Sequence, residues 1–371
     1  MPPYLSISRR TRRTPFTDRV TAAGVSAYTI YNHMLLPTVF TSVEEDYRHL
    51  KSAVQVWDVA CERQVEIRGP QAAELVQMLT PRDLSDMMVG QCYYTPMVDE
   101  TGGMLNDPVT VKLDEDRYWV SIADSDLMFW IKGLAVGYRL AADVIEPDVS
   151  PLAIQGPGAD DLAARVFGEE VRSIRFFRYK RLSFNGADLV VARSGYSKQG
   201  GFEIYVEGGQ HGEPLWDALF EAGRDLDVRA GCPNLIERIE RIEAGMLSYG
   251  NDMTRANTPH ECGLGRFCDT RSAIGCVGRD ALLRVAREGP LKQIRYLEIG
   301  GEALPPCPEP WKVNAGGEFA GEVTSAAWSP DFGVNVAIAM IGRDWWDEGT
   351  LLEVATPAGN RMARVRNRSW L

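Results

Sequence analysis

A-R-S-G-Y-S-K-Q-G-G-F-E-I-Y-V-E, residues 192–207, predicts a strand, an open loop and a second strand. The apolar, β-branched run that ends at Ala192 is typical of a buried strand. The small, polar residues from Ser194 to Gly201 include three glycines, which allow a backbone to approach a ligand closely. After Gly201 apolar residues recur at every second position, which predicts another strand.

The second strand places two polar side chains on one face. Phe202, Ile204 and Val206 point to one side, so Glu203 and Tyr205 point to the other. A carboxylate accepts two hydrogen bonds, whereas a phenol stacks and donates one. The pair therefore suits a flat heterocycle that carries an N–H and an amino group. The alternative interpretation is a hairpin with a polar outer face.

The composition is that of a globular protein. The 371 residues are enough for two or three domains, and 45% of them are hydrophobic and 25% charged. The net charge of −11 argues against nucleic acid or an anionic membrane as the main partner. No apolar run reaches the ~20 residues of a membrane span, and the N-terminus lacks the apolar segment of a signal peptide.

Cysteine and histidine usage points away from disulfide and metal chemistry. The seven cysteines form no Cys-x-x-Cys, and their number is odd, so we expect reduced thiols and a cytoplasmic protein. The four histidines show no metal-ligand spacing, so no metal is expected. A P-loop, a dinucleotide-binding glycine motif and a nucleophile elbow are also absent from the sequence.

Periodicity divides the chain into segments. Helices are predicted at Ser42–Leu50, where Ser42 can cap, and at Ala72–Leu79 and Ala159–Phe167. Residues from about 63 to 146 have the pattern of a compact α+β unit, in which Met104–Pro108 leads into a strand that runs through Leu113. After about residue 285 the pattern predicts a small antiparallel β domain.

One further helix is predicted around residues 234–246. Asn234 and Glu237 have the spacing of a capping box, and Glu237 with Arg241 forms an i,i+4 pair. Its apolar residues form one stripe, which favours a core position: Leu235, Ile239, Ile242 and Met246. The basic stretch Ser6–Arg13 is expected to be a solvated arm; its less frequent use would be as an anion site for a ligand carboxylate.

Several motifs occur in an order that resembles a known family. They are Arg13–Phe16, Asp99–Asp107, Ile154–Pro157, Gly201–Ile204, Arg241–Gly245, Leu247–Asp252, Thr258–Leu264 and Val323–Ser325. Together they cover nearly the whole chain and resemble the folate-dependent aminomethyltransferases, the T-protein of glycine cleavage and its relatives. Each motif alone is weak, but their common order is specific.

The resemblance implies an α+β fold with three domains in a cloverleaf around a central folate channel. A discontinuous central domain would comprise residues 1–62 and 147–254. Residues 63–146 would form an inserted α+β domain, and residues 255–371 a linker with a C-terminal β-barrel-like domain.

The resemblance also implies site residues. It places the pterin-binding glutamate at Glu203, beside Tyr205, and a further folate-binding tyrosine at Tyr94. The functional aspartate of the family falls on Asp107, which is expected to be catalytic; the alternative is a turn residue before a strand. The arginine that helps T-proteins hold the pterin has no clear match here.

Within the family, the chain is most similar to the demethylases of dimethylsulfoniopropionate (DMSP). The resemblance implies methyl transfer from a sulfonium sulfur to N5 of tetrahydrofolate, giving 5-methyltetrahydrofolate and 3-(methylthio)propionate. A sulfonium already carries a neutral leaving group, so the site needs mainly orientation and aromatic faces. The aromatic candidates are Tyr31, Trp57, Phe176, Phe177 and Tyr196, of which Tyr31 and Tyr196 are favoured. Lys198 or an arginine of the arm would bind the substrate carboxylate.

Two departures from this subfamily keep other functions open. Tyr196 stands where those demethylases have tryptophan, and residues 236–245 are about one turn longer. The donor could then be another onium or N-methyl compound, such as a betaine or a sarcosine-like molecule, or an aminomethyl-lipoyl protein. A non-catalytic folate-binding protein is a further alternative, although Ile274–Asp280 lacks the motif of those relatives. A homodimer is possible in each case.

Overall fold

The computed structural model describes residues 6–232, 239–269 and 274–371. The helices are α1 Thr17–Ala22, α2 Val43–Ser52, α3 Ala72–Leu79, α4 Leu127–Gly137, α5 Ala159–Phe167, α6 Gly212–Ala222, α7 Ile239–Ala244 and α8 Arg279–Glu288. The strands are β1 Ala27–Tyr31, β2 Met34–Val39, β3 Val54–Asp58, β4 Gln64–Arg68, β5 Cys92–Tyr94, β6 Met97–Val98, β7 Met104–Asn106, β8 Val109–Asp114, β9 Arg117–Ser121, β10 Asp143–Ile145, β11 Val149–Gln155, β12 Tyr179–Phe184, β13 Ala187–Ala192, β14 Gly201–Glu207, β15 Val228–Gly231, β16 Lys292–Ile299, β17 Trp311–Ala315, β18 Glu318–Ser329, β19 Val334–Gly342, β20 Leu351–Thr356 and β21 Gly359–Arg366.

The chain forms two compact units, residues 1–64 with 146–234 and residues 65–145 with 235–371. The first unit is built on a six-stranded sheet of order β12-β13-β14-β11-β3-β15. Its pairs are antiparallel except β15 with β3. Helices α1, α5 and α6 pack on one face through a single apolar core. The division into three domains stays a prediction.

The strand, loop and strand predicted around residue 195 are confirmed as β13, the following loop and β14. Phe202, Ile204 and Val206 are fully buried in the core, as their period of two predicts. The alternative of a polar outer face is wrong, because Tyr205 on the opposite side is only 1% exposed. Helices α3 and α5 have the predicted bounds, and Ser42 caps α2 by accepting the Glu45 N–H at 3.1 Å.

The second unit contains an antiparallel sheet of order β10-β4-β9-β8-β5 and a closed barrel of order β16-β19-β18-β17-β20-β21. The predicted C-terminal β domain is therefore confirmed as an antiparallel barrel. The strand predicted after Pro108 and through Leu113 is confirmed as β8, and Met104–Asn106 before it forms the short strand β7. Proline has no N–H for the ladder, and the Pro108 carbonyl accepts the Thr95 N–H at 2.9 Å.

Helix α7 is buried on all sides rather than along one stripe. Glu240, Arg241 and Glu243 are each fully buried. The Arg241 guanidinium donates to Asp252 at 2.8 Å and to the Ser325 hydroxyl at 2.6 Å. A buried arginine needs such partners, since an unpaired charge inside a protein is costly. The expected Asn234 cap, Leu235 and the Glu237 pair lie outside the described residues.

Candidate functional site

One face of the six-stranded sheet carries the predicted pair Glu203 and Tyr205. The register places Glu203 opposite Ala153 of β11 and Ala192 of β13, and Ala153 opposite Trp57 of β3. Residues directly opposite one another in antiparallel strands share a face. Glu203 is thus flanked by two methyl groups, with Tyr205 two positions along the same strand.

The Glu203 carboxylate is held by a neutral hydroxyl. Its residue is half-buried, and Oε2 accepts a hydrogen bond from the Ser194 hydroxyl. Among the described residues no lysine or arginine forms an ion pair with it. Burial raises the pKa of Glu203, and the Ser194 hydrogen bond opposes this only in part. Such a group favours a ligand that offers N–H donors.

Gln155, at the end of β11, organises the loop between β13 and β14. It is fully buried; its Nε2 donates to the Ser194 carbonyl at 3.2 Å, and its Oε1 accepts the Ser197 hydroxyl at 2.6 Å. A Cβ added at Gly195 would stand 2.0 Å from Nε2 and one at Gly201 2.7 Å from it. Glycine is therefore required where the loop closes over Gln155.

Two of the predicted substrate residues, Tyr196 and Lys198, lie on this loop. Tyr196 is half-buried and Lys198 is exposed, and they lie on either side of Ser197. Tyr31 is buried at the end of β1, ahead of the tight turn at Asn32, whose side-chain amide donates to the Cys61 carbonyl at 2.9 Å. These residues all belong to the first unit.

The other aromatic candidates differ in exposure. Trp57 is completely buried, and its indole N–H donates to the Gln55 side chain at 2.9 Å. Phe176 is 71% exposed and packs edge-on against Phe177, with ring centroids 4.6 Å apart. The burial of Trp57 favours a structural role, since its polar atom is satisfied within the fold.

Tyr94 and Asp107 meet in the second unit. The Tyr94 hydroxyl donates to Oδ2 of Asp107 at 2.7 Å. Burial raises the pKa of Asp107 to about 7, in spite of the Tyr94 hydrogen bond, and the charge of Asp252 adds to the rise. Asp107 therefore populates both protonation states near neutral pH, as suits a group that orients or exchanges a proton.

Two buried polar side chains position the segment that carries Asp107. The side-chain oxygen Oδ1 of Asn106 accepts hydrogen bonds from the backbone N–H groups of Asp107 and Ala123, both at 3.0 Å. Asp99 caps the preceding turn by accepting the Thr101 N–H at 2.9 Å and the Gly103 N–H at 3.1 Å. Burial alone would raise the pKa of Asp99, but these hydrogen bonds and that of Arg255 lower it below its ordinary value.

Sequence reasoning missed Gln155, Ser194 and Asp58 as parts of these arrangements. Asp58 is buried, and its carboxylate accepts the Thr14 hydroxyl at 2.6 Å and the Ala60 N–H at 3.1 Å. Burial raises its pKa to about 6. The sequence did carry a signal for Gln155 and Asp58: each is a polar residue at the end of an apolar strand, after Leu-Ala-Ile and after Val-Trp. A polar group that is buried in this way needs a hydrogen-bond partner.

The basic arm is not simply solvated. Arg12 and Arg63 both donate to the Glu146 carboxylate, Arg12 at 2.6 Å. Burial alone would raise the pKa of Glu146, but these two arginines lower it below its ordinary value. Arg12 and Arg13 line a pocket of about 610 Å³ within the first unit.

Within residues 6–232, 239–269 and 274–371, no cluster of three or more histidine, cysteine or acidic side chains could hold a metal ion. All seven cysteines are free thiols. No helix in these ranges is long and apolar enough to cross a membrane.

Comparison with known proteins places the chain in a family. Residues 16–272 match the GCVT N-terminal domain, and residues 292–370 match the glycine cleavage T-protein C-terminal barrel domain. The chain belongs to the glycine cleavage T-protein family. The fold is similar to that of aminomethyltransferase T of the glycine cleavage system from Bartonella henselae. The crystal structure of that protein superimposes with a TM-score of 0.86 and covers 97% of this chain and 98% of its own. The two sequences are 22% identical.

Two curated T-protein relatives differ in their activity. The chain is 61% identical to dimethylsulfoniopropionate demethylase DmdA of Ruegeria pomeroyi over 98% of each chain. It is 31% identical to an aminomethyltransferase of Symbiobacterium thermophilum over 89% of each chain.

The substitution Gln155→Leu should make the loop between β13 and β14 less ordered, because Gln155 binds this loop through two hydrogen bonds. This change leaves the Ser194 carbonyl and the Ser197 hydroxyl without their partner, so the free energy of unfolding in urea should fall by ~1–3 kcal/mol. Amide hydrogen exchange over residues 194–201 should become faster. Ser197→Ala, which keeps the bond from Gln155 to Ser194, should cost about 1 kcal/mol. Equal exchange in all three proteins would contradict the role of Gln155.

Proposed function

We propose that this T-protein homologue transfers one methyl group from the sulfonium sulfur of DMSP to N5 of tetrahydrofolate. The observation that carries the proposal is the full-length similarity to the Ruegeria pomeroyi demethylase. The sulfur keeps the electron pair of the broken C–S bond and becomes a neutral thioether. The N5 lone pair forms the new C–N bond, and N5 loses its proton. The products are 5-methyltetrahydrofolate and 3-(methylthio)propionate.

Glu203 is the proposed anchor for the pterin ring, with Tyr205 beside it. The fit rests on a half-buried carboxylate that is held by the Ser194 hydroxyl and flanked by the small side chains of Ala153 and Ala192. A carboxylate in this environment forms strong hydrogen bonds to N–H groups, because little water competes for it. Tyr94 is proposed as a second folate contact.

Asp107 is the proposed catalytic residue. As a carboxylate it would orient the reacting groups and attract positive charge, and its pKa of about 7 allows it to take up a proton at neutral pH. Tyr94 holds the carboxylate in one orientation through its 2.7 Å hydrogen bond. Because the sulfonium leaves as a neutral thioether, placement by these groups supplies the main catalytic effect.

Tyr31 and Tyr196 are the proposed aromatic contacts for the sulfonium, and Lys198 the proposed contact for its carboxylate. An aromatic face stabilises a cation by roughly 0.5–2 kcal/mol without neutralising it. The half-buried position of Tyr196 on a glycine-rich loop supports this role. A small molecule then suffices as the donor, and we propose a cytoplasmic enzyme, in agreement with its free thiols.

A second candidate function keeps tetrahydrofolate and changes the donor. Tyr196 replaces the tryptophan expected in the demethylases, and tyrosine is the weaker cation–π partner. This substitution favours a different onium or N-methyl compound as the alternative substrate.

Purified protein mixed with tetrahydrofolate and DMSP is expected to form 5-methyltetrahydrofolate, detected by chromatography. Product should be absent when tetrahydrofolate is omitted. If no product forms although folate binds in a titration, DMSP is the wrong donor and the second candidate gains. If folate does not bind either, the proposal fails as a whole.

Glu203→Gln is expected to weaken folate binding about 10- to 100-fold, since a hydrogen bond to a charged group is lost. Glu207→Gln is the matched control: it lies on the same face of β14, but its carboxylate pairs with Arg181 at 2.7 Å near the surface. Fluorescence titration should show an unchanged dissociation constant for this control. Equal affinities of both variants would refute the anchor.

The raised pKa of Asp107 predicts a pH dependence. If the carboxylate is the active form, kcat/KM should rise with pH through about 7. Tyr94→Phe removes the hydrogen bond that lowers this pKa, so the midpoint should move to higher pH. Asp107→Asn should abolish the titration and most of the activity. A Tyr94→Phe midpoint that stays in place or moves down would contradict the assignment.

A further inference from the structure

The turn Ser248–Met253, within the second unit, is fixed to strand β18 of the barrel. Its anchor is Asp252, which is only 2% exposed. The Asp252 carboxylate accepts hydrogen bonds from the Arg241 guanidinium at 2.8 Å, the Ser248 N–H at 2.9 Å, the Thr324 hydroxyl at 2.7 Å and the Ser325 hydroxyl at 2.6 Å. A buried charge with such partners is costly to displace. The turn is therefore held in one position on β18.

Tyr249 of the same turn holds the strand that leads to Asp107. Its hydroxyl donates to the Met104 carbonyl at 3.1 Å, and the Met104 N–H donates to the Asn257 carbonyl at 2.8 Å. Both backbone polar groups of Met104 in β7 are thus bound by the segment from 249 to 257. Tyr249 also packs in the same apolar cluster as Tyr94, whose hydroxyl donates to Asp107. The turn therefore contacts both the strand before Asp107 and the partner of its carboxylate.

Asp107 also interacts electrostatically with this turn. Burial makes the largest contribution to the raised pKa of Asp107, and the negative charge of Asp252 adds to it. Burial and then the charge of Asp107 raise the pKa of Tyr249. Burial, the charge of Glu261 and the charge of Asp107 raise the pKa of Cys262. The titratable groups that face Asp107 are therefore Tyr94, Tyr249, Cys262 and Asp252.

We propose that Asp252 and Tyr249 are positioning residues for the methyl transfer, an inference that rests on the function proposed above. Asp252 fixes the turn on β18, and Tyr249 passes this position on to β7 and so to Asp107. Neither side chain needs to touch the reacting atoms, because a reaction that depends on placement is sensitive to small displacements of its catalytic group. The ion pair of Asp252 with Arg241 also balances the charge near Asp107 and thereby sets the pH at which Asp107 titrates.

Tyr249→Phe removes only the hydroxyl that binds Met104. The kcat of methyl transfer should fall about 3- to 10-fold, as expected for one lost hydrogen bond, and amide hydrogen exchange over residues 104–107 should become faster. The dissociation constant for tetrahydrofolate should stay unchanged. Tyr118→Phe is the matched control, since it removes a hydroxyl that donates to the Glu115 carbonyl at 3.4 Å in the same unit, and it should leave kcat unchanged. Weaker binding of tetrahydrofolate by Tyr249→Phe would make Tyr249 a ligand contact and overturn the inference.

The ion pair predicts opposite shifts of the pH profile in two variants. Asp252→Asn leaves the positive charge of Arg241 unpaired, which lowers the pKa of Asp107, so the midpoint of kcat/KM should move down by on the order of half a pH unit. Arg241→Met leaves Asp252 unpaired and should move the midpoint up. The double variant carries neither charge and should titrate near the wild type. Glu66→Gln, which breaks the buried ion pair with Arg117, is the matched control and should not move the midpoint.

A role in folding alone would not move the midpoints in opposite directions. Midpoints that shift the same way or stay in place overturn the inference, as does a wild-type kcat in Tyr249→Phe, which decides alone where a buried-charge variant does not fold. NMR of isotope-labelled aspartate, with the Asp107 signal assigned through Asp107→Asn, measures the same shifts in the ligand-free protein. A wild type that shows these NMR shifts without transferring a methyl group would refute the proposed function and leave the positioning of Asp107 standing.

Discussion

A carboxylate that leaves water needs a partner, and the nature of that partner divides the acidic groups of this protein into two kinds. Asp252 and Glu66 are buried against arginines, at 2.8 Å from Arg241 and 2.7 Å from Arg117. Glu203 and Asp107 are held by neutral hydroxyls, and burial raises the pKa of each. An arginine compensates a buried charge within the fold, whereas a hydroxyl leaves the charge largely uncompensated. The second kind therefore suits contacts to a ligand.

The structure around Glu203 holds its carboxylate in a fixed position. The apolar face of β14 is anchored in the core by Phe202 and Ile204, so the strand cannot shift without turning its buried residues outward. Gln155 fixes the adjoining loop through two hydrogen bonds, and its burial makes both bonds costly to break. Rigid placement is what a methyl transfer without acid catalysis requires.

The T-protein frame explains how related chains serve different donors. The proposed pterin anchor Glu203 lies on a strand, whereas the proposed donor contacts Tyr196 and Lys198 lie on a loop. Loops accept substitutions more readily than strands whose register is set by a core. A change of donor thus needs few substitutions, and Tyr196 stands at such a position. The family assignment and the chemistry of the donor are for this reason separate conclusions.

The sequence alone determined the features that depend on local periodicity and on motif order. The period of two in the sequence placed Glu203 and Tyr205 on one face of a strand. Helices α3 and α5 have the bounds that the sequence predicted. The order of the motifs indicated the family. The sequence could not pair residues far apart in the chain, such as Gln155 with Ser197, Tyr94 with Asp107 or Arg241 with Ser325. Periodicity tells which side of an element is buried but not which group lies opposite. Only the tertiary structure decided those partners, and with them the desolvation that raises the pKa of Asp107 and Glu203.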